Sequence, residues 1–267
     1  MTPGAHAFAT GRGGVIAALA ALALIAAAAL AGAGPARAQQ PAVPPQEAAA
    51  PPEAAAPQPF VLSRPGKLSR WAFVRRRTAA RSRPSASARR VTTLTTRTPE
   101  GTANLVLALE RVEVGGRLWV RVRLPILPNN STGWVRRKDL GVYQSVSTRL
   151  VIDTKRFTAR LVRRGRTVFR ARVGVGEGRW PTPKGEFFVR NRLSGFRDPI
   201  YGPLAFGTSA RSAVLTDWPA GGFVGIHGTN QPGILPGRVS HGCIRLRNQD
   251  IRRLDRRMPV GTPITIR

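Results

Sequence analysis

The residues best suited to chemistry lie close together near the end of the 267-residue chain. Cys243 is the only cysteine, and His227 and His241 are the two histidines that follow the first ten residues. A thiol beside a histidine is typical of acyl transfer, because the thiolate attacks a carbonyl and the histidine moves the proton. The three side chains could instead be ordinary structural groups or zinc ligands, although no carboxylate or second cysteine lies nearby to complete a zinc site. The clustering of such rare residue types favours acyl transfer.

Two neighbours of Cys243 support this interpretation. Gly242 allows backbone N–H groups to turn toward a developing oxyanion, where one donor contributes about 3 kcal/mol of transition-state stabilisation. Arg245 places a fixed positive charge near the thiol, which favours the thiolate and could bind a substrate carboxylate. We therefore expect a cysteine acyl-transfer site around these residues.

The local sequences around the cysteine and the histidine resemble those of one enzyme family. Residues 240–245 read SHGCIR and residues 227–229 read HGT, which is similar to the L,D-transpeptidase catalytic domain, the YkuD family. Residues 182–187, TPKGEF, resemble the Thr-Pro-x-Gly-x-Phe segment that precedes the site in many members. The resemblance runs from about Ser147 to the C-terminus. It implies the family's β-sandwich of mixed sheets.

The resemblance also implies a role for each matched residue. Cys243 would be the nucleophile and His227 the general base and acid, with an oxyanion hole at the backbone N–H groups of Gly242 and Cys243. Other matched residues would support the loop, namely Ser240 and His241, or bind substrate, namely Arg245, Gly228, Thr229 and Asn230.

The implied reaction joins two stem peptides of peptidoglycan and serves cell wall biogenesis and remodelling. The cysteine attacks the carbonyl between a diamino acid and the terminal D-alanine of a tetrapeptide stem, D-alanine leaves, and a thioester remains. The side-chain amine of a second stem then forms a crosslink between two diamino residues. The resemblance implies no metal or organic cofactor, and it implies that carbapenems acylate the cysteine. With water as acceptor the enzyme would be an L,D-carboxypeptidase.

A mainly β domain with one or two short helices is expected to position this site over residues 147–267. Apolar alternation predicts strands at residues 149–153, 157–162, 167–175, 186–189, 223–227 and 263–266. Asn248 is predicted to cap a short helix whose apolar face carries Ile251, Leu254 and Met258. Residues 191–217 are the segment that we expect to cover the substrate groove as a loop.

Residues 97–146 predict a smaller β module in front of this domain. Short alternating segments flank a turn at Gly115 and Gly116, and a loop rich in Pro and Asn leads to Gly133 and Trp134. This pattern resembles the bacterial SH3-type modules that often precede wall enzymes. The alternative is an extra β subdomain that belongs to the catalytic core.

The N-terminus has the pattern of an export signal. Arg12 precedes an apolar run from Val15 to Leu30, and residues 34–38 read GPARA, so cleavage is expected before Gln39. Residues 1–38 are therefore predicted to be a signal peptide, and the protein is expected in the cell wall or periplasm. An uncleaved signal would instead act as a membrane anchor.

Residues 39–96 are predicted to be a disordered linker. An Ala/Pro spacer leads into the segment from Arg64 to Arg90, which holds ten basic residues and no acidic one. The chain has a formal net charge of +30, which favours a polyanionic partner, either anionic wall polymers or a membrane surface. Nucleic acid is not the expected partner, because no nucleic-acid motif accompanies the arginines.

Two rival functions keep the same architecture. A non-catalytic wall protein would bind peptidoglycan through the β module while the cysteine site stayed silent. A polyanion-binding protein would depend on the segment from Arg64 to Arg90 and would lose affinity steeply with salt. The reactivity of Cys243 separates an enzyme from both.

Overall fold

The computed structural model describes residues 57–216 and 222–267. The predicted signal peptide and the spacer as far as residue 56 lie outside these ranges. Within them the strands form two large sheets, and the single α-helix is α1 (Asn248–Asp255). The described ranges contain no helix that is long and apolar enough to cross a membrane. The prediction of a mainly β protein with mixed sheets and a short helix is confirmed.

The first sheet has eight strands, and each described pairing in it is antiparallel. Its order is β4-β3-β7-β6-β5-β2-β8, with β1 paired to β5. Gly115 and Gly116 both have positive φ and make the predicted turn between β5 and β6. The strands are β1 (Phe60–Val61), β2 (Ser69–Phe73), β3 (Thr78–Arg81), β4 (Arg90–Leu94), β5 (Leu105–Val114), β6 (Arg117–Arg123), β7 (Thr132–Arg136) and β8 (Gln144–Val146).

The prediction of a disordered linker over residues 39–96 is wrong in its described part, residues 57–96, which includes the segment from Arg64 to Arg90. Strands β2 and β3 lie inside it, and β4 begins at its last residue. The core face of β5 needs β2 beside it, and Trp71, Ala72 and Ala80 are buried between exposed or half-buried arginines. Because the segment contains ten basic residues, its apolar alternation was not recognised in the sequence. The module therefore begins at Phe60, and its likeness to an SH3 domain stays a prediction.

The second sheet has ten strands in the order β11-β10-β9-β18-β13-β14-β15-β17-β12-β16. Three pairs are parallel, namely β9 with β18, β15 with β17 and β12 with β16. Helix α1 packs Ile251 and Leu254 into the large apolar core of this sheet. The strands are β9 (Thr148–Asp153), β10 (Thr158–Arg163), β11 (Arg166–Arg172), β12 (Gly174–Gly176), β13 (Gly185–Ser194), β14 (Leu204–Arg211), β15 (Phe223–His227), β16 (Gly237–Ser240), β17 (Ile244–Arg245) and β18 (Pro263–Ile266).

The predicted strands of this sheet are present, but three others escaped prediction. Strand β14 has buried polar residues at Thr208 and Ser209, so it lacks the apolar alternation on which the prediction relied. Strands β16 and β17 are too short to show a period. Residues 191–217 are consequently not one loop, because β13 ends and β14 runs within that range.

The predicted cap of helix α1 is also wrong. Arg247 occupies the N-cap position and makes no side-chain capping bond. The side chain of Asn248 instead accepts a hydrogen bond from the backbone N–H of Thr229 at 2.9 Å. Asn248 therefore ties the helix to the loop after β15. Met258 is buried as expected, although the helix has ended before it.

The two sheets share an apolar contact. Trp71, Leu107 and Val146 of the first sheet form one buried cluster with Phe188 of the second. Gly261 has φ of +77°, and a side chain at that position would collide with the Trp71 ring. The close approach of the two sheets thus requires glycine at this point.

Candidate active site

Strand β15 brings the predicted base to the predicted nucleophile. Successive side chains of a strand alternate between its faces, so Phe223, Gly225 and His227 share one face. Strand β17, which follows Cys243, pairs in parallel with β15, and the Gly225 N–H donates a hydrogen bond to Cys243 Sγ at 3.3 Å. A Cβ atom on Gly225 would stand 3.9 Å from both Sγ and His227 Cδ2. The missing side chain of Gly225 leaves open space between thiol and imidazole.

His227 is buried, with 3% of its surface exposed, and its ring has a defined orientation. Its Nδ1 lies 2.6 Å from the backbone oxygen of Gly228, so Nδ1 carries the proton and donates it there. The pKa of His227 is lowered to about 4, mainly by burial and also by the nearby positive charge of Arg245, while the hydrogen bond to Gly228 acts in the opposite direction. The imidazole is therefore neutral near pH 7, and its Nε2 can accept a proton.

The thiol of Cys243 is neutral in the resting site. Burial raises the pKa of Cys243, whereas the hydrogen bond from Gly225 and the positive charge of Arg245 lower it. The expectation that Arg245 favours the thiolate is correct in direction, but burial is the larger effect. A neutral thiol beside a neutral imidazole requires proton transfer during nucleophilic attack.

Ser240 and Thr182 hold the loop that carries the cysteine. Ser240 Oγ donates to the backbone oxygen of Cys243 at 2.6 Å and accepts from the Gly242 N–H at 3.2 Å. Thr182 Oγ1 accepts from the Gly176 N–H and donates to the Gly242 oxygen, both at 2.8 Å. Gly242 has φ of +111°, which explains why glycine occupies the turn. The TPKGEF segment thus braces the nucleophile loop.

These bonds change the predicted oxyanion hole. The Gly242 N–H was expected to stabilise an oxyanion, but it already donates to Ser240. Among the hydrogen bonds of the described residues, none engages the N–H of Cys243. Of the two predicted donors, the Cys243 N–H is therefore the one that remains available to an oxyanion.

A pocket of about 240 Å³ opens onto the thiol. Arg245 is 9% exposed, and its Nε has no hydrogen-bond partner among the described residues. An unpaired buried guanidinium is costly unless a ligand anion neutralises it. The lining residues are Asp198, Ile200, Tyr201, Ser212, Leu215, Gly222, Phe223, His227, Ser240, His241, Cys243 and Arg245.

Sequence reasoning missed the aromatic walls of this pocket. The Tyr201 ring lies 5.2 Å from the His227 ring, at the end of a 3-10 turn (Pro199–Tyr201) that Asp198 caps through the Ile200 N–H. The Phe223 ring lies at the other end of β15 from His227. No spacing rule linked either aromatic residue to the cysteine, and the resemblance did not include them.

His241 lies at the exposed mouth of the pocket. Its ring is 4.1 Å from the ring of Trp180, and the Arg179 guanidinium lies over the Trp180 ring. Trp180 was also not predicted. The position fits the implied role of His241 in supporting the loop.

Three predicted substrate-binding residues do not line the pocket. Gly228 packs closely against Gly202, and Thr229 is buried with its hydroxyl accepting from the Gln231 N–H. Asn230 is exposed outside the lining. Gly228 and Thr229 instead belong to the turn after β15, where the Gly228 oxygen accepts from His227 and the Thr229 hydroxyl accepts from Gln231.

The described residues contain no group of three or more His, Cys, Asp and Glu side chains that could hold a metal ion. The two histidines and the cysteine of the predicted cluster line one pocket, where His227 bonds to a backbone oxygen through Nδ1. This geometry gives a proton acceptor beside a thiol.

Comparison with known proteins gives the family. A model of the L,D-transpeptidase catalytic domain (YkuD) matches residues 147–266. The YkuD protein of Bacillus licheniformis, assigned by name to the L,D-transpeptidases, is 33% identical over 122 residues, which cover 46% of this chain and 67% of that protein. Its Bacillus subtilis namesake is 39% identical over 94 residues, covering 35% of this chain and 50% of the relative.

A solved L,D-transpeptidase from Mycobacterium smegmatis is similar over 57% of this chain and 90% of its own, with 18% identity and a TM-score of 0.37. The match to this chain covers about two thirds of the length of the B. licheniformis protein and half the length of the B. subtilis protein. The region that the catalytic-domain model matches, residues 147–266, contains both motifs and the whole ten-stranded sheet. On the match to the B. licheniformis protein and to the catalytic-domain model, this chain belongs to the L,D-transpeptidase (YkuD) family.

Proposed function

We propose that this protein is a peptidoglycan L,D-transpeptidase that acts through a thioester on Cys243. The observation that carries the proposal is the geometry on β15, where Gly225 holds the thiol sulfur and His227 presents an unprotonated Nε2 on the same face. Family membership supplies the reaction class. The pocket supplies a site for one acyl donor.

The first half-reaction is acylation. Nε2 of His227 takes the thiol proton while Sγ of Cys243 bonds to the carbonyl carbon that precedes the terminal D-alanine. The carbonyl oxygen becomes an oxyanion beside the Cys243 N–H. The carbon–nitrogen bond then breaks, His227 returns its proton to the leaving amine, and D-alanine departs from the thioester.

The second half-reaction is transfer to an acceptor. The side-chain amine of a second stem attacks the thioester and gives a proton to His227. The carbon–sulfur bond breaks, and the proton returns to the thiolate of Cys243. The two half-reactions together replace the amide bond to D-alanine with an amide bond to the acceptor amine. This exchange requires no redox or metal chemistry of these residues.

Arg245 is proposed to bind a carboxylate of the donor stem. Its guanidinium is buried, unpaired at Nε and part of the pocket lining next to the reacting thiol. A carboxylate would neutralise it with charge-assisted hydrogen bonds. Tyr201 and Phe223 would enclose the apolar part of the same stem.

We also propose that the protein works outside the cytoplasm, after cleavage before Gln39 or as an anchored form. Anionic wall polymers or a membrane surface remain the proposed environment for its basic surface. The arginines between Arg64 and Arg90 would contribute from a folded sheet and not from a flexible arm.

The test is turnover of defined stem peptides by residues 39–267. A disaccharide tetrapeptide incubated with enzyme should release D-alanine and give a crosslinked dimer by mass spectrometry. Cys243→Ala should give neither product, and His241→Ala should retain both. Release of D-alanine without dimer would identify a carboxypeptidase, whereas no release by a folded enzyme would contradict the proposal.

A further inference from the structure

A buried ion pair joins the first sheet to the catalytic sheet. Glu100, in the turn before β5, accepts a hydrogen bond from the guanidinium of Arg190 in β13 at 3.0 Å. The side chain of Arg190 is 1% exposed and that of Glu100 is 15% exposed. Glu100 also accepts from Asn191 Nδ2 at 3.2 Å. A charge buried this deeply needs its partner, because loss of one member leaves the other uncompensated.

The position of Arg190 follows from a β-bulge. The pairing of β13 with β14 passes from Val189 to Asn191 while the partner strand advances by one residue, so Arg190 is the extra residue. Bulges redirect side chains and occur often beside active sites. The redirected guanidinium lies 3.7 Å from the centre of the Phe223 ring. Phe223 lines the pocket and begins the strand that ends at His227.

A second loop of the first sheet reaches the same aromatic ring. Asn129 accepts a hydrogen bond from the Arg211 N–H at 3.0 Å and donates to the Arg211 oxygen at 2.7 Å. Arg211 pairs with Phe223 between β14 and β15, and its guanidinium lies 5.0 Å from the Phe223 ring. Two separate loops of the first sheet thus bind the two arginines beside Phe223, one at the guanidinium of Arg190 and the other at the backbone of Arg211.

We infer that the first sheet contributes to the active site: Glu100 holds Arg190 against Phe223 and thereby positions the part of the pocket wall that Phe223 forms. Glu100 and Arg190 are positioning residues, because neither lines the pocket. The inference deepens the proposed function and rests on it only for the identity of the ligand. It assigns to the first sheet a role in shaping the substrate pocket.

A purely structural role would have a different signature. If the ion pair only stabilised the fold, its loss would lower the unfolding temperature and leave the folded pocket unchanged. A positioning role predicts weaker binding of ligands that touch Phe223, in enzyme that is fully folded. The Arg190–Phe223 contact is short enough for a cation–π interaction. A shift of the guanidinium would therefore change the position of the Phe223 ring.

The test compares Glu100→Gln with Glu113→Gln in residues 39–267. Glu113 is an exposed residue of the same sheet and forms no ion pair among the described residues, which makes it a matched control. Acylation by a carbapenem is followed at increasing concentrations below the unfolding temperature of each variant, which separates the dissociation constant from the limiting rate. Iodoacetamide is too small to depend on contact with Phe223, so its rate of reaction reports the intrinsic reactivity of Cys243.

Glu100→Gln should raise the dissociation constant about tenfold, with the limiting rate and the iodoacetamide rate within about twofold of wild type. Glu113→Gln should match wild type. Glu100→Asp, which keeps the charge on a shorter side chain, should have a dissociation constant between those of wild type and Glu100→Gln. This variant replaces Glu100→Gln in the test if Glu100→Gln does not fold. A wild-type dissociation constant in folded Glu100→Gln would overturn the inference.

Failure of the proposed function would be seen separately. If wild type is not acylated, the ratio of Cys243 alkylation by a bulky aromatic maleimide to that by iodoacetamide replaces the carbapenem assay. That ratio needs no catalysis and depends only on the pocket. A ratio that Glu100→Gln shifts about tenfold relative to Glu113→Gln supports the positioning role, and an unchanged ratio contradicts it.

Discussion

Acidification should lower the free energy of unfolding, and the contribution of His227 to this loss can be calculated. Burial holds the pKa of His227 at about 4, whereas an unfolded histidine titrates near 6.5. Between these values the unfolded chain binds a proton that the folded chain does not, so unfolding becomes easier as pH falls. The difference corresponds to about 3 kcal/mol of folding free energy, present above pH 6.5 and lost progressively as pH falls to about 4.

The assay is urea unfolding of wild type and His227→Gln at pH 7, 5.5 and 4.5. Glutamine cannot titrate, so every other group that responds to acid cancels in the comparison. Wild type should lose most of the 3 kcal/mol, about 2 to 3 kcal/mol, relative to the variant between pH 7 and pH 4.5. Equal losses in the two proteins would show that His227 is not held neutral by burial. The proton acceptor of the proposed mechanism would then need to be another group.

Three further predictions concern the neighbours of the thiol. Thr182→Val should lower the free energy of unfolding by about 2 to 4 kcal/mol in urea, because two buried backbone groups lose their partner; Thr182→Ser should restore it. Gly225→Ala should fold normally, since its methyl meets only ordinary contacts at 3.7 to 3.9 Å, but acylation should slow by about tenfold or more because that methyl fills the space for the carbonyl; an unchanged rate would contradict this. Arg245→Met should raise KM about tenfold for a donor with a free carboxylate, and the difference from wild type should vanish with a donor carboxamide; equal effects on both donors would refute carboxylate binding.

The chemistry of the site was more predictable than its architecture. Cys243 and His227 stood out because rare residue types were clustered, and the structure places them in one pocket. Strand β15 was visible in the apolar alternation of the sequence. The function of Gly225 was not visible, since a hydrogen bond from a backbone N–H leaves no trace in residue type.

The remaining errors have specific physical causes. Arginines within and between β2 and β3 raised the local charge, so a folded segment was predicted to be disordered. Asn248 has the composition of a helix cap, but a tertiary partner, the Thr229 N–H, competes for its side chain. Tyr201 reaches the site through long-range packing, which neither periodicity nor a local motif reports.

Intact-protein mass spectrometry of residues 39–267 after incubation with a carbapenem tests whether Cys243 is an acyl-transfer nucleophile. We expect one covalent adduct on wild type, no adduct on Cys243→Ala, and slow formation on His227→Ala. His241→Ala should react at close to the wild-type rate, because that residue lies at the pocket mouth. An adduct that persists in Cys243→Ala, or a folded wild-type protein that forms none, would contradict a cysteine acyl-transfer site.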